Sequence, residues 1–152
     1  MTQWRYEPPY EVYSLDHPPS PAELAYLLEP TSAYHQILDS TLDESFDLNK
    51  RMMGFCSFGE DGQVPGGDYS LDGLDIGMGM RPDLTGRGHG NIFVDAVCAF
   101  ALATYKPVML RVTVAEFNTR AQRVWQQAGF VEVERFGRSR DGMPYIVLCR
   151  RV

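Results

Sequence analysis

The chain lacks the features that would place it in several large classes. Its 152 residues hold three cysteines, Cys56, Cys98 and Cys149, which are far apart, odd in number and set among apolar neighbours. That pattern is neither a disulfide framework nor a metal-ligand spacing, and it reads as buried, reduced thiols. No apolar run is long enough to span a bilayer, and no apolar leader follows Met1. The expectation is a cytoplasmic protein with no membrane association. Positive charge is in short supply, with 14 Lys+Arg against 20 Asp+Glu and a net charge of −6. Such a balance gives no general attraction to nucleic acid or anionic lipid, and it tolerates a cationic substrate such as an amine. There is no internal repeat and no low-complexity linker.

The length fits one domain with one core, and 44% apolar residues is an ordinary globular value. The domain is expected to cover 1–152, with a divergent N-terminal part over 1–48 and a core over 49–152. Five prolines between Tyr6 and Pro21 exclude long regular elements there. Ser20-Pro21-Ala22-Glu23 predicts a helix start, with a serine cap, proline at the first position and acid in the first turn; Pro30 stops it. Strands are predicted at Tyr34–Leu38, Arg51–Phe58, Leu74–Met80, Val108–Val114, Phe130–Phe136 and Tyr145–Cys149. Gly88–Tyr105 reads as a well-buried helix, with Phe93, Val94, Val97, Cys98, Phe100 and Ala101 around its circumference. Thr119–Ala128 reads as a second helix, ending at Gly129 in a left-handed cap. From residue 49 onward this gives a mixed α/β domain with helices on a sheet.

Chemistry concentrates in Thr85-Gly86-Arg87-Gly88-His89-Gly90-Asn91, between a strand and a helix. Alternating glycines let backbone N–H groups converge without Cβ crowding, and the helix adds its unsatisfied N–H groups and positive dipole end. A nucleoside triphosphate loop would need Lys-Ser/Thr where Gly90-Asn91-Ile92 stands. A dinucleotide turn would need its third glycine one residue later, and Glu116 lies late for a ribose-binding acid. What remains is a phosphate cradle or a tight turn that binds nothing, with the dinucleotide turn as a remote alternative.

A second motif lies one strand further on: Asn118, a short helix containing Trp125, then Gly129-Phe130. Both motifs, in order and at this spacing, resemble the GNAT family of N-acetyltransferases, over about Met53 to the C-terminus. The resemblance implies a mostly antiparallel sheet flanked by helices, with a splayed strand pair at the cofactor site and acetyl-CoA as acyl donor. It implies transfer of an acetyl group to a primary amine, on a small molecule or a protein, by direct attack in a ternary complex. A homodimer is possible on the same grounds. The cofactor would be held by Thr85, Gly86, Arg87, Gly88, His89, Gly90 and Asn91 at its pyrophosphate, by the backbone at Met78 and Met80 along its arm, and by Asn118 and Trp125. Asn118 reads equally as a helix cap, and Trp125 as packing.

Two departures from the family stand out. Thr85 replaces a glutamine or arginine, and Trp125 replaces a tyrosine that protonates the departing thiolate. An indole N–H has negligible acidity. A thiolate of pKa near ~8.5 leaves tolerably unaided, whereas an ammonium of pKa near ~10.4 must lose a proton. Asp75 is the first candidate for that base and Glu116 the second, with Tyr145, Tyr69 and Tyr105 as further acids or substrate contacts. Each reads also as an ordinary solvated or core residue. Asp61, Asp68 and Asp72 would draw a cationic amine or simply keep a loop soluble. By analogy, Tyr6, Tyr10 and Tyr13 line the acceptor side. His17 and His35 have no readable partner. The alternative from another class is a sensor or scaffold that binds acyl-CoA and transfers nothing.

Overall fold

The computed structural model describes residues 3–14, 18–29, 32–45 and 47–152. Pro30 and His17 lie outside them. The regular elements are α1 (Pro21–Leu28), β1 (Tyr34–Leu38), α2 (Leu48–Arg51), β2 (Met52–Phe58), β3 (Leu74–Met80), α3 (Gly90–Tyr105), β4 (Met109–Ala115), α4 (Thr119–Gln127), β5 (Val131–Gly137) and β6 (Pro144–Arg151). Every expected strand and helix is present, most within two residues of its expected bounds. The expectation lacked α2 and the short 3-10 turns at Glu11–Tyr13, Gly59–Gly62 and Pro82–Leu84.

The strands form a six-stranded sheet in the order β1-β2-β3-β4-β6-β5. The β1/β2, β4/β6 and β5/β6 pairs are antiparallel and β3/β4 is parallel. With its helices, this is the mostly antiparallel α/β architecture expected. By backbone contacts the chain divides into two compact units, Met1–Ser57 with Met78–Thr85, and Phe58–Gly77 with Gly86–Val152.

In the first unit, α1 begins with a reciprocal capping box. The Glu23 N–H donates to Ser20 Oγ at 3.2 Å and the Ser20 N–H to Glu23 Oε2 at 2.7 Å, with Pro21 at the first helical position. Two orphan donors are satisfied at once. β1 pairs with β2 from Tyr34↔Ser57 to Leu38↔Met52, with a register shift at Ile37/Leu38.

The second unit holds the main core. Phe93, Val94, Val97, Cys98 and Ala101 of α3 are buried, as are Leu110, Val112 and Val114 of β4 and Tyr145–Cys149 of β6. β6 runs between β4 and β5, and consecutive residues Tyr145–Cys149 are buried, so both of its faces are covered there and it reads as continuous apolar sequence. Phe100 departs from the expected buried circumference. It is 40% exposed, and its ring lies 5.8 Å from Phe58 at the edge of the core. Gly129 closes α4 with φ +87°, the left-handed cap expected.

The parallel ladder places Asp75 opposite Arg111. Arg111 donates from Nε to Asp75 Oδ1 at 2.6 Å and from Nη2 to Oδ2 at 2.9 Å. Both side chains are buried. Gln63 Nε2 donates to Asp75 Oδ2 at 2.8 Å. The remaining guanidinium donors reach the Leu71 and Tyr69 carbonyls at 3.0 and 3.4 Å, and the guanidinium lies 5.0 Å over the Tyr69 ring. The ion pair thus ties β3 to β4 and fastens the loop between β2 and β3.

Among the described residues, no helix is long and apolar enough to cross a membrane, and no group of three or more His, Cys, Asp or Glu is arranged to hold a metal ion. A buried charge stripped of its partner is strongly unfavourable, so Arg111→Met should lower stability in urea melts by about 3–5 kcal/mol. Adding Asp75→Leu should recover part of that loss.

Candidate functional site

The glycine turn divides its work. Gly86 and Gly88 have φ of +73° and +84°, a region where a side chain is strained. A Cβ built on Gly88 would meet nothing within 4 Å, so conformation, not crowding, demands glycine there. Gly90 is the reverse case: its φ is ordinary, but a Cβ would come 2.8 Å from Val124 Cγ2. Its bareness lets the start of α3 lie close against α4.

The N-terminus of α3 carries no side-chain cap. His89 occupies the N-cap position and its side chain makes no capping bond; its carbonyl accepts from the Phe93 N–H at 3.2 Å. Arg87 and Asn91 are exposed beside it. Arg120, in the first turn of α4, brings Nη1 to 3.0 Å from where a Gly86 Cβ would stand. The sequence reading quoted Arg120 inside the second motif but gave it no role. Its nearness to the turn depends on how closely α3 and α4 pack, which spacing along the chain does not show. Exposed backbone at left-handed glycines, an uncapped helix start and guanidinium charge together make a site suited to an anion.

In the first unit, Thr85 Oγ1 donates to the Pro82 carbonyl at 2.8 Å, so its hydroxyl proton is already used. Met78 and Met80 are half-buried. The Met80 carbonyl accepts from the Tyr6 hydroxyl at 2.8 Å. Burial, with the neighbouring Tyr13 second, pushes the Tyr6 phenol up to about 12. Tyr6 therefore stays neutral at ordinary pH.

On α4, Asn118 Oδ1 accepts from the Ala121 N–H at 3.1 Å, an N-cap in fact. Trp125 is 2% exposed, edge-on to Phe130 at 4.8 Å between centroids. It is packed in the core, the role that the sequence reading held beside contact with the cofactor.

The three catalytic candidates share one circumstance, in that each is engaged by an arginine. Asp75 is 2% exposed and both its oxygens accept from Arg111 and Gln63. That placement argues against a base, which needs an open lone pair facing its substrate. Glu116, at the end of β4, pairs with Arg135, which also holds Glu132 at 2.6 and 3.0 Å. The Tyr145 hydroxyl accepts from Arg138 Nη1 at 3.2 Å, while its ring stacks on Phe136. The structure does not bring the three together at a shared point. Tyr69 likewise serves the Arg111 network, its hydroxyl 3.0 Å from Thr113 Oγ1 and 2.9 Å from the Val64 nitrogen.

Residues 2–131 match the family model for the acetyltransferase (GNAT) domain. The match reaches back through the N-terminal fifty residues, where the sequence reading found no motif. A search of curated proteins finds no match. Among solved structures, the N-acetyltransferase PseH of Campylobacter jejuni, in complex with acetyl coenzyme A, is similar with a TM-score of 0.55 and 15% identity, over 81% of this chain and 70% of that one. A variant of the spermidine N-acetyltransferase SpeG of Vibrio cholerae gives a TM-score of 0.63 at 12% identity, over 85% and 72%. A GNAT-family acetyltransferase from Bacillus anthracis gives 0.56 at 12% identity, over 78% of this chain and 66% of its own. At such identities the likeness is one of fold.

Two measurements follow from the geometry. Gly88→Ala should destabilise by about 1–2 kcal/mol through its left-handed φ, and Gly90→Ala by about 1–3 kcal/mol through Val124, both read from thermal or urea melts. For Tyr6, a folded pKa above the unfolded value of 10.0 means that its contribution to stability is present below pH 10.0 and lost as pH rises through about 12. Alkaline titration of Tyr6→Phe should therefore lack the last-forming part of the tyrosinate absorbance.

Proposed function

Because the chain belongs to the GNAT acetyltransferase family, we propose that it transfers an acetyl group from acetyl-CoA to a primary amine by direct attack with both substrates bound. The observation that carries this reading is the uncapped start of α3 behind two left-handed glycines, with Arg120 beside them. The space that a Cβ at Gly88 would fill is open, so a diphosphate can approach the backbone closely there. Gly86 to Asn91 would hold that diphosphate, Arg87 and Arg120 would add charge, and His89 would lie at the helix start. The backbone at Met78 and Met80 is proposed to run beside the pantetheine arm. Asn118 contributes as the cap that sets the start of α4.

Acetyl-CoA supplies an activated acyl group whose thiolate leaves without strong acid assistance. The chain's own task is then to bring the amine in, free of its extra proton, and to aim backbone N–H groups at the carbonyl oxygen. With Asp75 and Glu116 held by arginines, desolvation of the ammonium is the better account of proton loss, since leaving water favours the neutral amine. A cationic acceptor suits the charge distribution. Met1–Ser57 with Met78–Thr85 holds ten acidic and four basic residues and so carries the whole net charge of −6. The spermidine N-acetyltransferase among the solved neighbours is consistent with a small polycationic amine.

The second reading, an acyl-CoA-binding module without transfer, is favoured by the buried Trp125 and the arginine-bound candidates.

Calorimetry should show acetyl-CoA binding in the micromolar range; no binding at high concentration sinks both readings. Release of free thiol with one or more of a panel of amines separates transferase from module. For Asp75→Asn, the expected result is lower stability with the shape of the pH–rate profile unchanged, whereas a flattened profile would restore Asp75 as base.

A further inference from the structure

The helix behind the glycine turn is held in place by a residue to which the acetyl-transfer reading gives no task. α4 runs Thr119-Arg120-Ala121-Gln122-Arg123-Val124-Trp125-Gln126-Gln127, and among its described residues Trp125 alone is buried. Apolar burial therefore holds its C-terminal half, where Arg150 Nη1 also donates to the Ala128 carbonyl at 2.8 Å. The face that meets the glycines begins in the first turn. Arg120 Nη1 stands 3.0 Å from where a Gly86 Cβ would be, and Val124 fills the space beside Gly90. These two residues are four apart and share one face of the helix.

Arg120 is unfavourably placed for the helix itself. The start of a helix is its positive end, where a cation is destabilising. Neither α3 nor α4 carries an acid in its first turn to offset it. Local stability thus gives no reason for the guanidinium, whereas an anion at the glycine turn does.

Gln122 lies about 200° round the helix from Arg120 and ties the same turn to the sheet. Its Nε2 donates to the Glu116 carbonyl at 2.6 Å and to the Ala115 carbonyl at 3.3 Å, so both amide protons are used at the end of β4. That corner is itself anchored. The Ala115 carbonyl accepts from the Asn118 N–H at 2.9 Å, and the Glu116 N–H donates to the Pro144 carbonyl of β6 at 2.9 Å. Gln122 is half-buried and carries the anchor one turn into α4. With Trp125 and Arg150 holding the far end, this second fastening sets the direction of the helix.

We propose that Gln122 is a positioning residue for the acyl donor. By tying the first turn of α4 to the end of β4 on one side, it holds Arg120 and Val124 against the glycine turn on the other. It thereby fixes where guanidinium charge meets the donor's phosphates, and it touches no substrate itself. This rests on the acetyl-transfer reading for the identity of the donor.

Calorimetry with acetyl-CoA tests it. Gln122→Met keeps the side-chain length and loses both donors, and it should raise Kd about three- to tenfold. Gln122→Asn, too short to reach both carbonyls, should raise it less. Because the effect passes through Arg120, adding Gln122→Met to Arg120→Gln should weaken binding only by roughly a further twofold or less. In thiol-release assays kcat/KM should fall with acetyl-CoA and hold with acetyl-pantetheine, which lacks the phosphates. Wild-type affinity in Gln122→Met overturns the proposal. So does the same loss with and without Arg120, or an equal fall with both donors, since each would mark a purely structural role. Urea melts report whether the variants fold, and Gln122→Asn carries the same comparisons if Gln122→Met does not. A wild type that binds no acetyl-CoA fails the donor reading; one that binds it as tightly as its variants do fails the positioning role alone.

Discussion

A buried ion pair sets the terms for the second unit. Asp75 and Arg111 each stand alone as a charge within an apolar strand, and each would be costly to bury without the other. Together they fix the register of β3 against β4, since a one-residue slip would send Asp75 to the opposite face. Their arrangement is complete: Gln63 satisfies the carboxylate further, and the spare guanidinium donors are spent on the Leu71 and Tyr69 carbonyls. That completeness is what makes a buried pair tolerable, and it converts the loop between β2 and β3 into a fastened segment. It also gives a structural task to the acid in the strand where a catalytic base was expected.

Arginine organises much of the remaining polar chemistry. Arg135 gathers Glu116 and Glu132, and Arg138 joins Asp141 to Tyr145. Arg120 and Arg87 are placed differently, beside the left-handed glycines and the uncapped start of α3. The division matches the proposed chemistry. In the proposed reading, anion binding would rest on backbone and guanidinium, and the acidity of the first unit would suit a cationic acceptor. A donor with a good leaving group relieves the fold of the need for a strong acid, and this makes a buried Trp125 compatible with transfer.

Much of this was legible in the chain. Ser20-Pro21 with Glu23, the β-branched run of β4 and Gly129 after α4 report local rules, and the structure follows them. The glycine turn was legible as a conformation as well, although its three glycines looked alike and proved to differ. Gly86 and Gly88 are needed for φ, and Gly90 for the approach of Val124. What the sequence did not show was partners. Asp75 was read without Arg111, which is 36 residues away, and Trp125 was read both as a cofactor contact and as packing. Phe100 was counted into a buried circumference that the helix covers only in part.

The sequence by itself determined the six strands, the three longer helices and the glycine turn, because capping, periodicity and left-handed turns are decided within a few residues, and two spaced motifs pointed to the family. Only the tertiary structure decided which charges are partners, which glycine serves packing, and that Tyr6 reaches Met80 and Phe55 lies across Gly79. Those contacts join residues dozens of positions apart. Their energies arise from burial and geometry at a meeting point that no local pattern records.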